Sequence, residues 1–326
     1  MKRLIIVASL AILAVGCQKT FVENEVLTPI GFNTEVGKQT RAIVQGTEYT
    51  GSFGVITYAY NEGIYLNTVM DNIEIENTAG VDEAPVWKNA SNTYYWPNDA
   101  ETTLDFYAYS PFGDYVTLDR ENNLASGFTI DDFTLASPYD FDFMVARAVT
   151  GQKYDENAGG KVSVSFAHQM TQVQFEVSSS APAGVTFDVT SIVLDNVTKV
   201  ADYVQNPVSP TLKWTEVRCF DSKANPADPC TLQLEGTAGN ENTVPVTMIP
   251  QALTNKTFTV TYTITGTGVA NETVVKTLPL IATNVPSWTE NMKVVYNLSI
   301  GLKEITFNPT VVKWDDPLDT PDIPIV

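Results

Sequence analysis

Apolar and polar residues alternate with a period of two along much of the chain. Four runs show the alternation without interruption: residues 162–166, 173–177, 185–189 and 258–265. This pattern gives a strand one apolar and one solvated face, which is typical of antiparallel sheets that pack as sandwiches. In the last run the apolar positions are Phe258, Val260, Tyr262 and Ile264. We therefore predict that these four side chains face one core.

Shorter apolar stretches extend the prediction over most of the chain. Further strand candidates are residues 53–60, 104–109, 141–145, 192–194, 244–249, 274–280, 294–300 and 305–312. Clusters of Gly, Asn, Asp and Pro separate them, and no segment longer than ten residues has a convincing helical period. The stretch 150–161 is the best linker candidate. These features predict an all-β protein of two sandwiches.

The first 17 residues have the order of a bacterial lipoprotein leader. A basic start, Met1-Lys2-Arg3, precedes an apolar run over residues 4–15 that only Ser9 interrupts. About twelve apolar residues are too few to span a bilayer, which needs roughly 20, so the run is typical of a signal peptide. Gly16 then precedes Cys17, the expected acylation site and attachment to outer-membrane lipid. The alternative is an ordinary secretory peptide with an incidental cysteine.

Charge and composition narrow the class of protein. Without residues 1–16 the chain keeps 17 basic and 38 acidic residues, a net charge of −21. Such a charge repels nucleic acid and anionic membrane surfaces, so nucleic-acid partners are excluded. Hydrophobic residues make up 44% of the sequence, enough to build real cores. We expect an exported surface protein with two domains.

Two cysteines remain once Cys17 is acylated. Cys219 and Cys230 flank a loop rich in Pro and Asp. In an oxidising compartment they are candidates for a disulfide, which would close a loop of about 11 residues and add roughly 2–3 kcal/mol. The alternative is a pair of free thiols. Two thiols and one histidine do not make a zinc site, so no metal is predicted.

The search for catalytic chemistry points away from an enzyme. His168 is the only histidine and lies between two strand patterns with no thiol nearby, which favours a structural hydrogen-bonding role. Carboxylate pairs such as Asp99 and Glu101 are expected by chance in so acidic a chain. No phosphate-binding loop or other cofactor motif occurs. The many aromatic residues are expected mainly in cores, with a sugar-binding face as the alternative.

Several short motifs follow one another in order along the chain. They are Ile30-Gly-Phe32, Thr40-Arg41-Ala42, Gly51 to Val55, Trp87, Tyr95-Trp96-Pro97, residues 104–112, 142–146 and 164–168, Met248-Ile249-Pro250-Gln251, Trp288, Tyr296-Asn-Leu298, Ile305-Thr-Phe307 and Val312-Lys-Trp314. Each motif is weak alone, but the ordered set is specific. In this order the chain resembles the fimbrillin-like lipoproteins of the Bacteroidetes, the major fimbrial subunits of type V pili.

The resemblance implies two β-sandwich (transthyretin-like) domains in tandem and a mechanism of assembly. It divides the chain into a signal peptide (1–16), a propeptide with a removable first strand (17–41), an N-terminal domain (42–155) and a C-terminal domain with a tail (156–326). It also implies that an arginine-specific protease cuts between Arg41 and Ala42. Another subunit's strand then fills the vacated groove. On this basis His168 is a structural position of the family.

The sequence is consistent with a removable strand. Residues 26–34 alternate so that one face carries Val26, Thr28, Ile30 and Phe32. Loss of such a strand would leave an apolar groove and unpaired backbone groups, a template for strand addition. Arg41 lies in a polar stretch suited to protease access. The alternative is that Arg41 is a surface residue of a protein that keeps its anchor.

The donor strand and the subunit's role stay open. Residues 310–326 follow the last strong strand and end in an apolar terminus, but their prolines limit ladder bonds to one edge. We expect an outer-membrane and cell-surface pilin precursor that binds other pilin subunits and a host protein or glycan. The alternative function is that of a surface-tethered glycan-binding lipoprotein.

Overall fold

The structure, a computed structural model, describes residues 27–36, 51–80, 83–118, 127–137, 139–155, 159–205, 214–218, 232–234, 243–301 and 305–314. Several predicted features lie outside the described residues: Cys17, Val26, Arg41, Ala42, Cys219, Cys230 and the tail 315–326. Within the described ranges every regular element is a strand, and no helix is long and apolar enough to cross a membrane. The prediction of an all-β protein is confirmed.

Twenty-two strands follow one another in the described residues. The first ten are β1 (Gly31–Val36), β2 (Phe53–Asn61), β3 (Ile64–Asn77), β4 (Trp87–Lys88), β5 (Thr102–Ser110), β6 (Thr117–Leu118), β7 (Phe128–Thr134), β8 (Met144–Ala146), β9 (Val149–Gln152) and β10 (Lys161–His168). The others are β11 (Thr171–Ser179), β12 (Val185–Asp195), β13 (Val200–Gln205), β14 (Trp214–Arg218), β15 (Leu232–Gln233), β16 (Val246–Met248), β17 (Gln251–Ala252), β18 (Thr257–Gly266), β19 (Glu272–Pro279), β20 (Ser287–Trp288), β21 (Met292–Ile300) and β22 (Ile305–Lys313).

The first sheet closes on itself. Its order is β2-β3-β4-β1-β10-β8-β5-β9, and β2 also pairs with β5. The interior holds a core of its own, in which Phe53 contacts Phe166 at a ring distance of 5.3 Å and Trp87 at 5.6 Å. β1 is one of the strands that complete this closed sheet.

The second sheet joins strands from both halves of the sequence. Its order is β14-β13-β7-β6, so β7 pairs with the much later β13. It packs on the outer face of the first sheet, where Tyr58 and Tyr107 are buried in the larger of the two cores. Phe128 of β7 stacks on Tyr203 of β13 at 6.2 Å. The two halves of the chain therefore share a sheet and a core.

The C-terminal half adds two four-stranded sheets and a short pair. The sheets have the orders β16-β11-β21-β22 and β15-β12-β18-β19, while β17 pairs with β20. Phe175 of β11 contacts Phe258 of β18, in the other four-stranded sheet, at 5.0 Å and stacks on Tyr296 of β21 at 4.8 Å. These rings lie in the larger core, which continues from the second sheet.

The strongest alternating run behaves as predicted. Phe258, Val260, Tyr262 and Ile264 are all buried in β18, and the threonines between them are half-buried. Most other candidates are also strands, including residues 53–60 in β2 and 294–300 in β21. Residues 192–194 continue β12 past a bulge after Val189 and do not form a separate strand.

Three predictions need correction. The predicted linker, residues 150–161, begins too early, because Val149–Gln152 forms β9, which pairs with β5. Within β9, Gly151 has a positive φ of 66°, and its amide donates to the Asp105 carboxylate at 2.6 Å. Thr310 lies inside β22 and not after the last strand. In the candidate 141–145 the strand starts only at Met144. β10 also pairs with β1 and β8, although it follows the predicted division at 155/156.

Candidate assembly site

β1 lies between two strands that come much later in the sequence. It runs parallel to β10, with the register running from Gly31 opposite Lys161 to Val36 opposite Phe166. On its other side it meets the short strand β4 where Phe32 pairs with Trp87. A parallel pair of strands cannot be joined by a tight hairpin, so β1 is held in place by side chains and ladder hydrogen bonds.

One face of the segment 27–36 is buried in the core of the first sheet. Ile30 is 6% exposed and Phe32 is 1% exposed, whereas Leu27 is 50% exposed. The Phe32 ring packs edge-on against Phe53 at 5.8 Å and Phe106 at 6.0 Å. Thr28 is half-buried, and Asn33 faces solvent. Because the alternation sends every second residue inward, this segment supplies an aromatic side chain to the centre of the core.

The residues before β1 are held by backbone hydrogen bonds. The Ile30 amide donates to the Tyr94 carbonyl at 2.8 Å, and the Trp96 amide donates to the Thr28 carbonyl at 3.0 Å. Pro29 pairs with Tyr95 in an isolated bridge. The segment is therefore anchored from Thr28 onward, three residues ahead of the assigned strand.

Gly160 and Trp96 form a close crossing over the start of β1. The Gly31 amide donates to the Gly160 carbonyl at 3.2 Å, and Trp96 Nε1 donates to the same carbonyl at 2.9 Å. Gly160 has a φ of +72°, and a Cβ there would lie 3.0 Å from the Pro29 carbonyl oxygen. A glycine is favoured here because the positive φ and the close approach would both strain a residue with a side chain.

Removal of β1 would leave a vacant position in the first sheet. The only covalent link from β1 to β2 is the intervening chain, and Arg41 belongs to it. A cut after Arg41 would leave β1 held by non-covalent contacts alone. Its departure would expose the ladder edges of β10 and β4 and the inner faces of Phe53 and Phe106. Such a vacancy accepts a strand with one apolar face.

The structure brings together some of the predicted residues and adds others. Thr28, Ile30 and Phe32 lie in one segment as the pattern predicts, while the other predicted site residues are outside the described ranges. The neighbours β4, β10 and Gly160 were not predicted as part of the site. The Tyr95-Trp96-Pro97 motif was the one available signal, but it gives no indication of its distant partners.

His168 ends β10, two residues beyond the Phe166 that pairs with Val36, and makes the structural hydrogen bond predicted for it. Its Nδ1 is 2.8 Å from a carboxylate oxygen of Asp142, and its ring stacks on Trp314 at 4.5 Å with the two planes 12° apart. The side chain is buried at 5% exposure. The contacts join the end of β10 to the segment before β8 and to the residue after β22.

Titratable groups in the first sheet are shifted by burial. Desolvation, followed by the charge of Asp105, raises the pKa of Tyr60 to about 12. Desolvation also raises the pKa of Asp105, against the smaller opposing effect of its hydrogen bond from Gly151. Among the described residues, no three His, Cys, Asp or Glu side chains cluster as metal ligands would. The site is one of backbone pairing and apolar packing.

Comparison with known proteins adds a family and a fold. A family model described as fimbrillin-like matches residues 40–314. The chain is similar to the solved structure of a fimbrial protein from Bacteroides vulgatus, with a TM-score of 0.56 and 18% identity over 87% of this chain and 99% of that chain. A candidate cell adhesion protein from Bacteroides ovatus gives a TM-score of 0.56 and 16% identity over 89% and 99%. No curated protein matches the chain in sequence.

Proposed function

Because the chain belongs to the fimbrillin-like family, we propose that it is a fimbrial subunit made as a lipoprotein precursor and assembled by protease-triggered strand exchange. As a member of this family it is a structural protein of cell-surface fimbriae and not an enzyme. The observation that carries the proposal is the position of β1, which supplies Phe32 to a core formed by later strands.

Export as a lipoprotein is the first step of the proposal. The order of basic start, apolar run and Cys17 supports it, and acylation of Cys17 would hold the precursor in the outer membrane. Cys17→Ala should leave the protein unprocessed or soluble in the periplasm, because the rest of the leader cannot replace a lipid anchor. Wild-type amounts of Cys17→Ala in the outer-membrane fraction would contradict this step.

Strand exchange is the second step. Residues 17–41 carry three basic and three acidic side chains, so their loss leaves the net charge at −21. Assembly would therefore owe little to altered repulsion and most to the vacant groove. Refilling it buries apolar side chains, each of which contributes roughly 1.5–3 kcal/mol. The partners proposed are other pilin subunits and an arginine-specific protease.

Cleavage after Arg41 can be tested with one conservative change. Wild-type precursor and Arg41→Lys would be incubated with an arginine-specific protease and inspected for filaments by electron microscopy. Lysine keeps the charge but removes the cleavage site. Filaments are expected from the wild type only; filaments from uncut Arg41→Lys would show that assembly does not require the cut.

The donor strand can be tested by truncation. We propose that the tail following Trp314 enters the groove of another copy, as a stalk subunit requires. Since residues 310–313 pair with β21 inside β22, the truncation should remove only residues 315–326. Cut protein should form filaments, and cut protein without the tail should not. Equal assembly of both would exclude the tail as donor and favour a tip role.

The finer description of the fold also belongs to the proposal. Two transthyretin-like sandwiches, divided near residue 155, are supported in the C-terminal half by two facing four-stranded sheets. We also propose a disulfide between Cys219 and Cys230. The mass of tryptic peptides before and after reduction tests it, because free thiols would be alkylated without a reductant.

A further inference from the structure

A cavity of about 480 Å³ opens at the end of the first sheet where β5 and β10 begin. Its size falls within the roughly 300–1,000 Å³ of typical ligand pockets. The lining includes Thr28, Trp96, Asn98, Asp99, Lys153 and Tyr154. The lining therefore combines the segment before β1, the residues that lead into β5 and the residues after β9.

One of the two exposed aromatic side chains among the described residues lines this cavity. Of the Phe, Tyr and Trp residues that the structure describes, only Tyr95 and Tyr154 are exposed, at 43% and 42%. Tyr154 lines the cavity, and Tyr95 precedes the lining residue Trp96 and pairs with Pro29. Every other described ring is buried or half-buried. An exposed tyrosine in a cavity offers an apolar face with a polar tip.

The polar groups of the cavity carry both signs of charge. Asp99 accepts hydrogen bonds from the amides of Thr102 at 2.6 Å and Glu101 at 3.1 Å. The hydrogen bonds from Thr102 lower the pKa of Asp99 below its ordinary value. The Lys153 ammonium, which also lines the cavity, donates to the carbonyl of Ala100, the residue after Asp99. A carboxylate, an ammonium and the Asn98 amide together suit a ligand with many hydroxyl groups.

We propose that this cavity binds an oligosaccharide through stacking on Tyr154 and hydrogen bonds to Asp99 and Asn98. A sugar ring has apolar C–H faces that pack on an aromatic ring and hydroxyls that pair with carboxylates and amides. The balanced charges favour a neutral sugar over a strongly charged one. Sugar binding at this cavity would give the proposed fimbrial subunit its adhesive target. The biological role of the binding rests on the proposed function, but the binding itself does not.

The cavity also links adhesion to assembly. Thr28 belongs to residues 17–41, which the proposed cleavage removes. In the precursor its carbonyl is held by the Trp96 amide, so the wall and the start of β1 are one unit. After exchange the incoming strand supplies this wall. The precursor is therefore the form in which the complete cavity can be tested.

The test uses the purified uncleaved chain on a printed array of defined neutral and sialylated oligosaccharides. Binding to a subset of neutral oligosaccharides is expected, and the best of them would then be titrated by calorimetry. Tyr154→Ala should weaken the affinity by about tenfold or more, since a tenfold loss corresponds to about 1.4 kcal/mol of lost stacking. Tyr154→Phe keeps the ring and should bind within about twofold of the wild type.

Two controls keep the test decisive. Val275→Ala changes a residue that is 61% exposed in the other half of the molecule and should bind as the wild type does. Thermal unfolding of Tyr154→Ala should match the wild type, because the side chain is exposed. Absence of binding across the array, capture of host proteins stripped of glycans, or unchanged affinity in Tyr154→Ala would overturn the proposal. Filament formation is measured separately, so a failure of strand exchange leaves the binding result intact.

Discussion

Single side chains on β18 connect the sequence pattern to the free energy of folding. Val260 is fully buried and pairs with Ile192 of β12 on one side and Lys276 of β19 on the other. Its neighbour Val275 on β19 is 61% exposed. The two valines lie in adjacent strands but differ in environment, so the same substitution at each separates burial from strand propensity.

Val260→Asp is expected to unfold the C-terminal half. A carboxylate without a partner in this core should cost about 4 kcal/mol or more, a large share of the stability of a typical domain. Val275→Asp should change stability by less than about 1 kcal/mol. Urea unfolding of both variants measures the difference, and an unchanged midpoint for Val260→Asp would show that the facing of β18 is wrong.

Asp105 gives a prediction about pH. Burial raises its pKa in the folded protein above the ordinary value of 3.8. The folded protein therefore binds a proton at Asp105 more readily than the unfolded chain does. This proton binding stabilises the fold fully below pH 3.8, and the stabilisation is lost as the pH rises through the folded pKa. Asp105→Asn keeps an acceptor for Gly151 and should therefore raise the melting temperature at pH 7. The increase in melting temperature over the wild type should shrink toward pH 4. A difference in melting temperature that does not change with pH would contradict the raised pKa of Asp105.

At the scale of elements, β1 depends on the crossing at Gly160. Gly160→Ala would place an alanine at a left-handed φ of +72° and its Cβ 3.0 Å from the Pro29 carbonyl oxygen. Gly159 has a similar φ of +60° with open space around a Cβ, which makes Gly159→Ala the matched control. In both variants the left-handed backbone conformation should lower the free energy of unfolding by about 1 kcal/mol. Only Gly160→Ala should speed hydrogen exchange at the Ile30 and Gly31 amides. Equal exchange rates in the two variants would show that the close approach of Gly160 to Pro29 does not hold β1 in place.

The core contact of β1 gives a second prediction at this scale. Phe32→Ala should destabilise the first sheet by about 3–5 kcal/mol, because it removes a ring packed against Phe53 and Phe106. Asn33→Ala, on the exposed face, is the control and should be close to neutral. Chemical denaturation followed by tryptophan fluorescence measures both. Similar losses for the two variants would mean that Phe32 is not an anchor.

Elements with regular alternation were predictable, and bulged ones were not. β18 and β21 have an uninterrupted apolar face, whereas β3, the longest strand among the described residues, was not predicted. Its pairing with β2 shifts register three times, and Asn72 within it has a positive φ of 51°. Each bulge changes the side of the sheet to which later residues point, so the period of two is lost. β9 was hidden by Gly151 for a similar reason.

At the scale of the whole molecule, the two halves are interlocked. β7 pairs with β13, and the larger core runs from Tyr58 of the first sheet to Tyr296 of the last. The alternation in the sequence predicts that Ile30 and Phe32 face inward. It does not predict that β1 pairs with β10 or that Gly160 accepts a hydrogen bond from Gly31. Contacts between segments so far apart leave no local pattern. The closed first sheet is completed by a strand whose covalent link contains Arg41.

In the strand exchange that we propose, β1 leaves its place before the subunit assembles. Asn33 of β1 and Ser163 of β10 are opposite each other in register, and both are exposed. Asn33→Cys with Ser163→Cys should form a disulfide that keeps β1 in the sheet, since neighbouring strands lie within bridging distance.

The measurement is filament formation by this double variant after arginine-specific cleavage, before and after reduction. We expect no filaments while the disulfide is intact and filaments after dithiothreitol is added. Cut wild type given the same reductant should assemble throughout, which controls for the native cysteines. Filaments formed by the oxidised, cut double variant would contradict the claim.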